Sequence, residues 1–83
     1  MPTLTRQDVA LLAEIEKNGG AIFDPGTDGG CIRIGPSLYT MTSNADVIVA
    51  FEHLKERHYI TSEQGIEFRV TESGRRRLLS AGW

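Results

Sequence analysis

The sequence has little of what stabilises small secreted, metal-bound or membrane proteins. Its 83 residues include one cysteine, three prolines and only 7% aromatic side chains. A single cysteine cannot form an internal disulfide, and no cluster of histidine, cysteine and carboxylate residues has the spacing of a metal site. No segment approaches the roughly 18 apolar residues of a transmembrane helix. We therefore expect no disulfide framework, no metal or other cofactor, and no membrane span.

An excess of basic charge is also missing. Nine Lys and Arg residues against eleven Asp and Glu residues give a net charge of −2, and the pI is near 5.6. No overall basic field therefore indicates nucleic acid as a partner. The start of the sequence carries neither the basic residues nor the apolar run of an export signal. We expect a cytoplasmic protein.

The remaining composition is ordinary for a soluble domain, with 40% hydrophobic and 24% charged residues. A chain of this length buries one core, so residues 1–83 are expected to form a single domain. The sequence contains no glycine motif for phosphates or dinucleotides. A domain this small also leaves little room for an active-site pocket. We expect no enzymatic activity.

Capping residues and helical periodicity predict three helices. Thr5 is expected to cap the first, which ends at an Asn-Gly-Gly sequence that favours a left-handed turn. Thr42 or Ser43 is expected to cap the second, which runs to about Arg57. Thr71 is expected to cap the third.

Short β-type runs predict two hairpins around turn-forming residues. The first joins residues 21–23 and 31–34, and the second joins residues 59–61 and 66–70. Residues 38–41 form a short stretch whose structure the sequence leaves ambiguous. The expected fold is therefore a small α+β domain with three helices and two β-hairpins.

The predicted helix and strand faces define a core. Leu78 and Leu79 are both expected to bring the last helix back onto it, and Ile66 is expected to face the same way as Phe68 and Val70. The predicted core residues are Val9, Leu12, Ile15, Ile32, Ile34, Val47, Phe51, Leu54, Ile60, Phe68, Val70 and Leu78.

Two sequence patterns in the second half of the chain follow each other in an informative order. Residues 54–60 read LKERHYI, and residues 70–78 read VTESGRRRL, a Val-Thr-x-x-Gly-x-x-x-Leu pattern. This part of the chain resembles a winged helix-turn-helix domain, as in the multiple-antibiotic-resistance and phenolic-acid-decarboxylase types of bacterial regulator. The first pattern is similar to the end of that family's recognition helix, with His58 where glycine is usual. The second is similar to the junction between the wing and the last helix.

The resemblance implies a winged-helix-like domain that binds double-stranded DNA, as a small regulator of transcription or an accessory factor. In that family the recognition helix reaches base edges and the wing holds phosphates. Basic charge is also concentrated in this half of the chain, although the half has no net charge. The candidate DNA-binding residues are Ser43, Asn44, His53, Lys55, Arg57, Arg69, Arg75, Arg76 and Arg77.

A second function stays open, because the outer face of the middle helix presents Val49, Glu52 and Glu56 and has no Lys or Arg at its centre. This face favours a protein-binding module, an adaptor or inhibitor that does not bind DNA. Its candidate residues are Val49, Glu52, Glu56 and Trp83. Weak self-association through the end of the first helix and the tail at residues 80–83 is also expected. The outer face of the middle helix and the arginine run of the last helix can instead be ordinary solvated faces.

Overall fold

The chain folds as helices packed on one face of an antiparallel sheet. The computed structural model describes residues 4–26 and 30–82. Its elements within these ranges are α1 (Arg6–Lys17), β1 (Ala21–Asp24), β2 (Cys31–Ile34), β3 (Ser37–Thr40), α2 (Ala45–Glu56), β4 (Ile60–Thr61), β5 (Glu67–Val70) and α3 (Glu72–Ser80). The strand order in the sheet is β3-β2-β1-β5-β4. The α+β class and the three helices predicted from the sequence are confirmed for this part of the chain. None of the helices in these ranges has the length and apolar character to cross a membrane.

The first helix begins and ends where its sequence signals place it. The Thr5 hydroxyl accepts the Asp8 N–H, and the Asp8 carboxylate accepts the Thr5 N–H, each at 3.1 Å. This reciprocal capping box fixes the start of α1. At the other end Gly19 has a φ of +78°, and the Gly20 N–H returns to the Ile15 carbonyl at 2.9 Å. The left-handed turn closes the helix and leads directly into β1.

The ambiguous stretch after β2 is a strand. β3 pairs with β2 along its whole length, from Ile34 opposite Ser37 to Cys31 opposite Thr40. The first predicted hairpin is therefore extended into a three-stranded meander. Residues 30–44, all described, contain no helix, so a strand stands where a helix-turn-helix would place the helix before α2.

The second helix starts later than its predicted caps. Asn44 is the N-cap of α2, and its side chain makes no capping hydrogen bond. The Ser43 N–H donates to the Thr40 hydroxyl at 3.1 Å, and the Asn44 N–H donates to the Thr40 carbonyl at 2.6 Å. The predicted cap at Thr42 or Ser43 is therefore wrong, because these residues form the turn that carries β3 into α2.

The core lies between the helices and one face of the sheet. Phe51 of α2 is fully buried, with its ring stacked on Phe23 at 5.9 Å and edge-on to Phe68 at 5.0 Å. Eleven of the twelve predicted core residues are buried, and Leu11, Ala21, Ile48 and Ala50 join them. The predicted face of each long helix is confirmed.

Three apolar residues lie differently from their predicted positions. Val47 is half-buried, because α2 turns Ile48 further inward. Ile66 is exposed, since β5 begins one residue later and Ile66 belongs to the preceding turn. Leu79 is exposed because Leu78 takes the inward position of α3, and the next side chain points about 100° further round the helix.

Candidate functional site

The outward side of α2 forms one continuous face, which we call the α2 surface. Its members are Ala45, Asp46, Val49, Glu52, His53 and Glu56. At 100° per residue the other members all lie within about 60° of Val49. Val49 is 49% exposed. The α2 surface therefore carries an apolar centre, three carboxylates and no Lys or Arg.

Contacts from α1 fix one side of the α2 surface. The Gln7 side-chain amide donates to Asp46 Oδ2 at 2.7 Å. This hydrogen bond is the main cause that holds the pKa of Asp46 below its ordinary value, so the carboxylate stays ionised at neutral pH. His53 Nδ1 lies 3.3 Å from Oδ2 of the buried Asp8. The imidazole proposed as a DNA contact is therefore engaged by a carboxylate on one side.

Lys55 belongs to the core edge rather than to the α2 surface. Its ammonium lies 3.2 Å from Glu52 Oε1 and between 5.6 and 6.0 Å from the ring centres of Phe23, Phe51 and Phe68. A cation over aromatic faces is attracted by their quadrupoles, and its aliphatic stem covers apolar surface. Lys55, a predicted DNA-binding residue, is therefore held at the edge of the core.

The other candidates on α2 lie at opposite ends of the helix. Ser43 and Asn44 precede its first turn, and Arg57 is the half-buried C-cap. At about 1.5 Å of rise per residue, the two ends are roughly 20 Å apart. The acidic α2 surface lies between them.

Arg69 lies on the far side of the sheet. In β5, Phe68 and Val70 are buried towards the helices, so Arg69 points to the exposed face. Its guanidinium is 3.8 Å from the exposed Glu63 carboxylate. The sheet and the core therefore separate the Arg69 side chain from the α2 surface.

Two of the three arginines of α3 pair with carboxylates of the same chain. Arg75 Nε donates to Glu16 Oε2 at 3.0 Å, and Arg76 donates to Glu72 Oε1 at 2.7 Å. Arg77 is half-buried. The predicted basic residues are therefore divided between the exposed sheet face, which carries Arg69, and α3. Arg69, Arg75 and Arg76 each already face a carboxylate.

Arg33, which is not among the candidates predicted from the sequence, lies on the exposed sheet face. It stands opposite Ile22 on one side and Leu38 on the other. The alternation of buried and exposed residues in β2 is the signal that could have placed it there. A concave region of about 810 Å³ on this face includes Arg33 and Arg69 but also Glu63 and Glu67. The two positive and two negative side chains of this lining balance.

The predictions for the tail and for metal binding remain. Trp83, a proposed protein contact, lies outside the described residues. Within residues 4–26 and 30–82, no group of three or more His, Cys, Asp or Glu side chains is placed to hold a metal ion.

Comparison with known proteins gives no further assignment. No protein-family model, curated protein or solved structure matches the chain. The function is therefore inferred from the surfaces of the molecule alone.

Proposed function

We propose that this chain is a non-enzymatic protein-binding module, an adaptor or inhibitor, that contacts its partner through the α2 surface. One observation carries the proposal: Val49 is 49% exposed at the centre of a helix face that presents carboxylates and no Lys or Arg. An aliphatic centre within a polar rim is the usual anatomy of a protein interface. The same rim disfavours DNA, because carboxylates repel phosphates.

The chemistry of the α2 surface defines the kind of partner. An ionised Asp46 and the exposed Glu56 stand on either side of Val49 along the helix. A partner that presents Lys or Arg side chains around an apolar pocket would match both features. Complementary charge accelerates association and fixes orientation, so the complex is expected to form more slowly at high salt.

Duplex DNA is the second candidate, and the arginines support it. The Arg69 and Arg76 side chains are 71% and 76% exposed in their ion pairs with Glu63 and Glu72. Exposed ion pairs are weak, so phosphates can displace these carboxylates. The chain would then be a small regulator or accessory factor of transcription that binds DNA with little sequence preference.

A cytoplasmic location is part of the proposal. Cys31 is a free, partly exposed thiol. Thiols of this kind suit a reducing compartment.

Binding to duplex DNA across a salt series separates the two candidates. The native chain is compared with Arg69→Ala and with the triple variant Arg75→Ala, Arg76→Ala, Arg77→Ala. The protein-binding proposal expects no binding at low salt. DNA binding through the arginines would instead fall steeply with salt, and each phosphate contact removed would flatten the log-log slope by about 0.9.

The decisive variant is Val49→Arg, matched by Ile66→Arg at a site that is also 49% exposed. Each chain is immobilised and the proteins it retains from cell extract are quantified. The native chain and Ile66→Arg should retain the same partner, and Val49→Arg should lose it, because a cation replaces the apolar centre. Circular dichroism verifies that both variants are folded. Equal retention by Val49→Arg, or equal loss by both variants, would contradict the proposal.

A further inference from the structure

A second apolar surface lies between α1 and α3, on the other side of α1 from the α2 surface. A cleft of about 590 Å³ opens there over Ala10 and Ala13 of α1 and over Leu78 and Leu79 of α3. We call it the α1/α3 groove. Ala10 points about 160° away from Asp8, the α1 residue that contacts His53 of α2. The two surfaces can therefore be occupied independently.

The groove carries a projecting side chain beside its recess. Leu79 is 73% exposed, the most exposed large apolar residue among those the structure describes. The recess beside it lies over the small side chains of Ala10 and Ala13. Both a knob and a hole thus lie on one patch of the molecule.

We propose that the α1/α3 groove is a self-association surface and that a second copy of this chain occupies it in a two-fold dimer. A two-fold interface needs one patch that is complementary to itself. Rotation about a two-fold axis beside the groove places Leu79 of each copy over Ala10 and Ala13 of the other. The dimer buries on both sides an aliphatic side chain that one copy leaves in water.

The charges around the groove favour a copy over a strongly charged partner. Its charged lining consists of Glu14, Glu16, Lys17 and Arg75, so both signs are present and the sum is zero. Arg75 already pairs with Glu16 within the chain, so a strongly acidic or basic partner would leave its own charge unmatched. A second copy presents the same balanced set of charges. Because α3 has nine residues, the contact is small, and the dimer is expected to be weak.

Sedimentation equilibrium over a wide concentration range tests the dimer. Leu79→Lys should weaken association by about tenfold or more, because the knob becomes a hydrated cation. The matched control is Leu38→Lys, at an exposed leucine (53%) on the other face of the sheet. A chain that stays monomeric at every concentration, or equal weakening by both variants, overturns the proposal.

A mixing experiment tests the knob-and-hole geometry. Ala10→Glu alone should also weaken association, because the carboxylate fills the recess. Mixed with Leu79→Lys, it should form a heterodimer, which contains one native Leu79 contact and one new Lys-Glu pair. The association constant of the heterodimer should exceed that of either variant homodimer by about tenfold. A mixture that shows only the weak association of its components overturns the proposed pairing.

The tail is the competing occupant of the groove. A chain that ends at Gly82 should dimerise as the full chain does. If removal of Trp83 abolishes the dimer while Leu79→Lys preserves it, the tail and not the groove makes the contact. Val49→Arg should leave the dimer unchanged, which separates this inference from the proposed function.

Discussion

The backbone of His58 lies in the left-handed region, with a φ of +60°. Two hydrogen bonds explain the conformation of this residue. The Tyr59 N–H donates to the Leu54 carbonyl and the His58 N–H donates to the Lys55 carbonyl, both at 3.0 Å. This is the Schellman pattern that ends a helix. At the equivalent position of α1 the chain has Gly19. Thus α2 uses a residue with a Cβ where α1 uses glycine.

Replacing His58 by glycine should stabilise the domain. A left-handed residue with a Cβ costs about 1–2 kcal/mol, and the greater freedom of glycine in the unfolded chain offsets part of the gain. We expect His58→Gly to raise the free energy of unfolding by about 0.5–1 kcal/mol, measured by urea denaturation. His58→Ala keeps the Cβ and should give no such gain. An equal response of the two variants would show that the strain is not at this Cβ.

Single-residue signals were predictable from the sequence where they act locally. Thr5 and Thr71 cap their helices as expected, because each bonds an amide three residues further on. His58 stands at the helix end in a left-handed conformation that glycine adopts more easily. Leu79 was not predictable, because the choice between Leu78 and Leu79 as the inward residue depends on how α3 sits against α1.

At the scale of elements, the docking of α3 depends on Gly74. The Thr71 hydroxyl donates to the His58 carbonyl at 2.7 Å and accepts the Gly74 N–H at 3.1 Å, so it ties the end of α2 to the start of α3. A Cβ on Gly74 would clash with the Tyr59 carbonyl oxygen and stand 2.8 Å from Val70 Cγ1. The helix therefore approaches the β4–β5 hairpin closely only without a side chain here.

Gly74→Ala should loosen this contact. Overpacking costs about 1–3 kcal/mol, against which the better helix propensity of alanine returns up to about 1 kcal/mol. We expect a net loss of about 1–2 kcal/mol in the free energy of unfolding. Ser73→Ala, at the exposed neighbouring position, should change stability little. If the two variants unfold at the same urea concentration, the close approach of α3 does not limit stability.

The strand β3 shows what element-scale prediction misses. Its residues Ser37–Thr40 lack the alternation of buried and exposed side chains that marks β5. The strand is defined by its pairing with β2 and by Tyr39, whose hydroxyl donates to Glu14 of α1 at 2.9 Å. Neither partner can be recognised from a four-residue window.

At the scale of the whole molecule, this bond from Tyr39 to Glu14 joins the sheet edge to α1. Burial, and then the neighbouring Glu14 carboxylate, raise the pKa of Tyr39 above its ordinary value near 10. The Tyr39 hydroxyl proton therefore dissociates at a lower pH in the unfolded chain than in the folded chain. The protonated Tyr39 hydroxyl contributes its full share to the free energy of unfolding below about pH 10. This contribution is lost as the pH rises towards the folded-state pKa.

Tyr39→Phe should remove this alkaline sensitivity. Between about pH 9 and pH 11, the native chain should lose stability more steeply than the variant, by at most about 1.4 kcal/mol per pH unit. Urea denaturation at several pH values measures both slopes. Parallel slopes would show that Tyr39 does not titrate differently in the folded state.

The candidate site was predictable only in part at this scale. Helical periodicity placed Val49, Glu52 and Glu56 on one face, and the structure keeps them there. The basic patch was expected from closeness in sequence, but the fold places Arg69 on the open sheet face and Arg75 beside α1. The Arg75 partner Glu16 lies on the first helix, and no local pattern indicates such a pair.

The place of β1 in the middle of the sheet leads us to expect a particular order of folding. β1 ends at Asp24 and β2 begins at Cys31, so these strands are close in sequence, whereas the contact of Ile22 with Glu67 closes a loop of more than half the chain. Closing a long loop costs more entropy than closing a short one. We therefore expect the meander and the β4–β5 hairpin each to form early, and the β1–β5 ladder to close last and join the two halves into one cooperative unit.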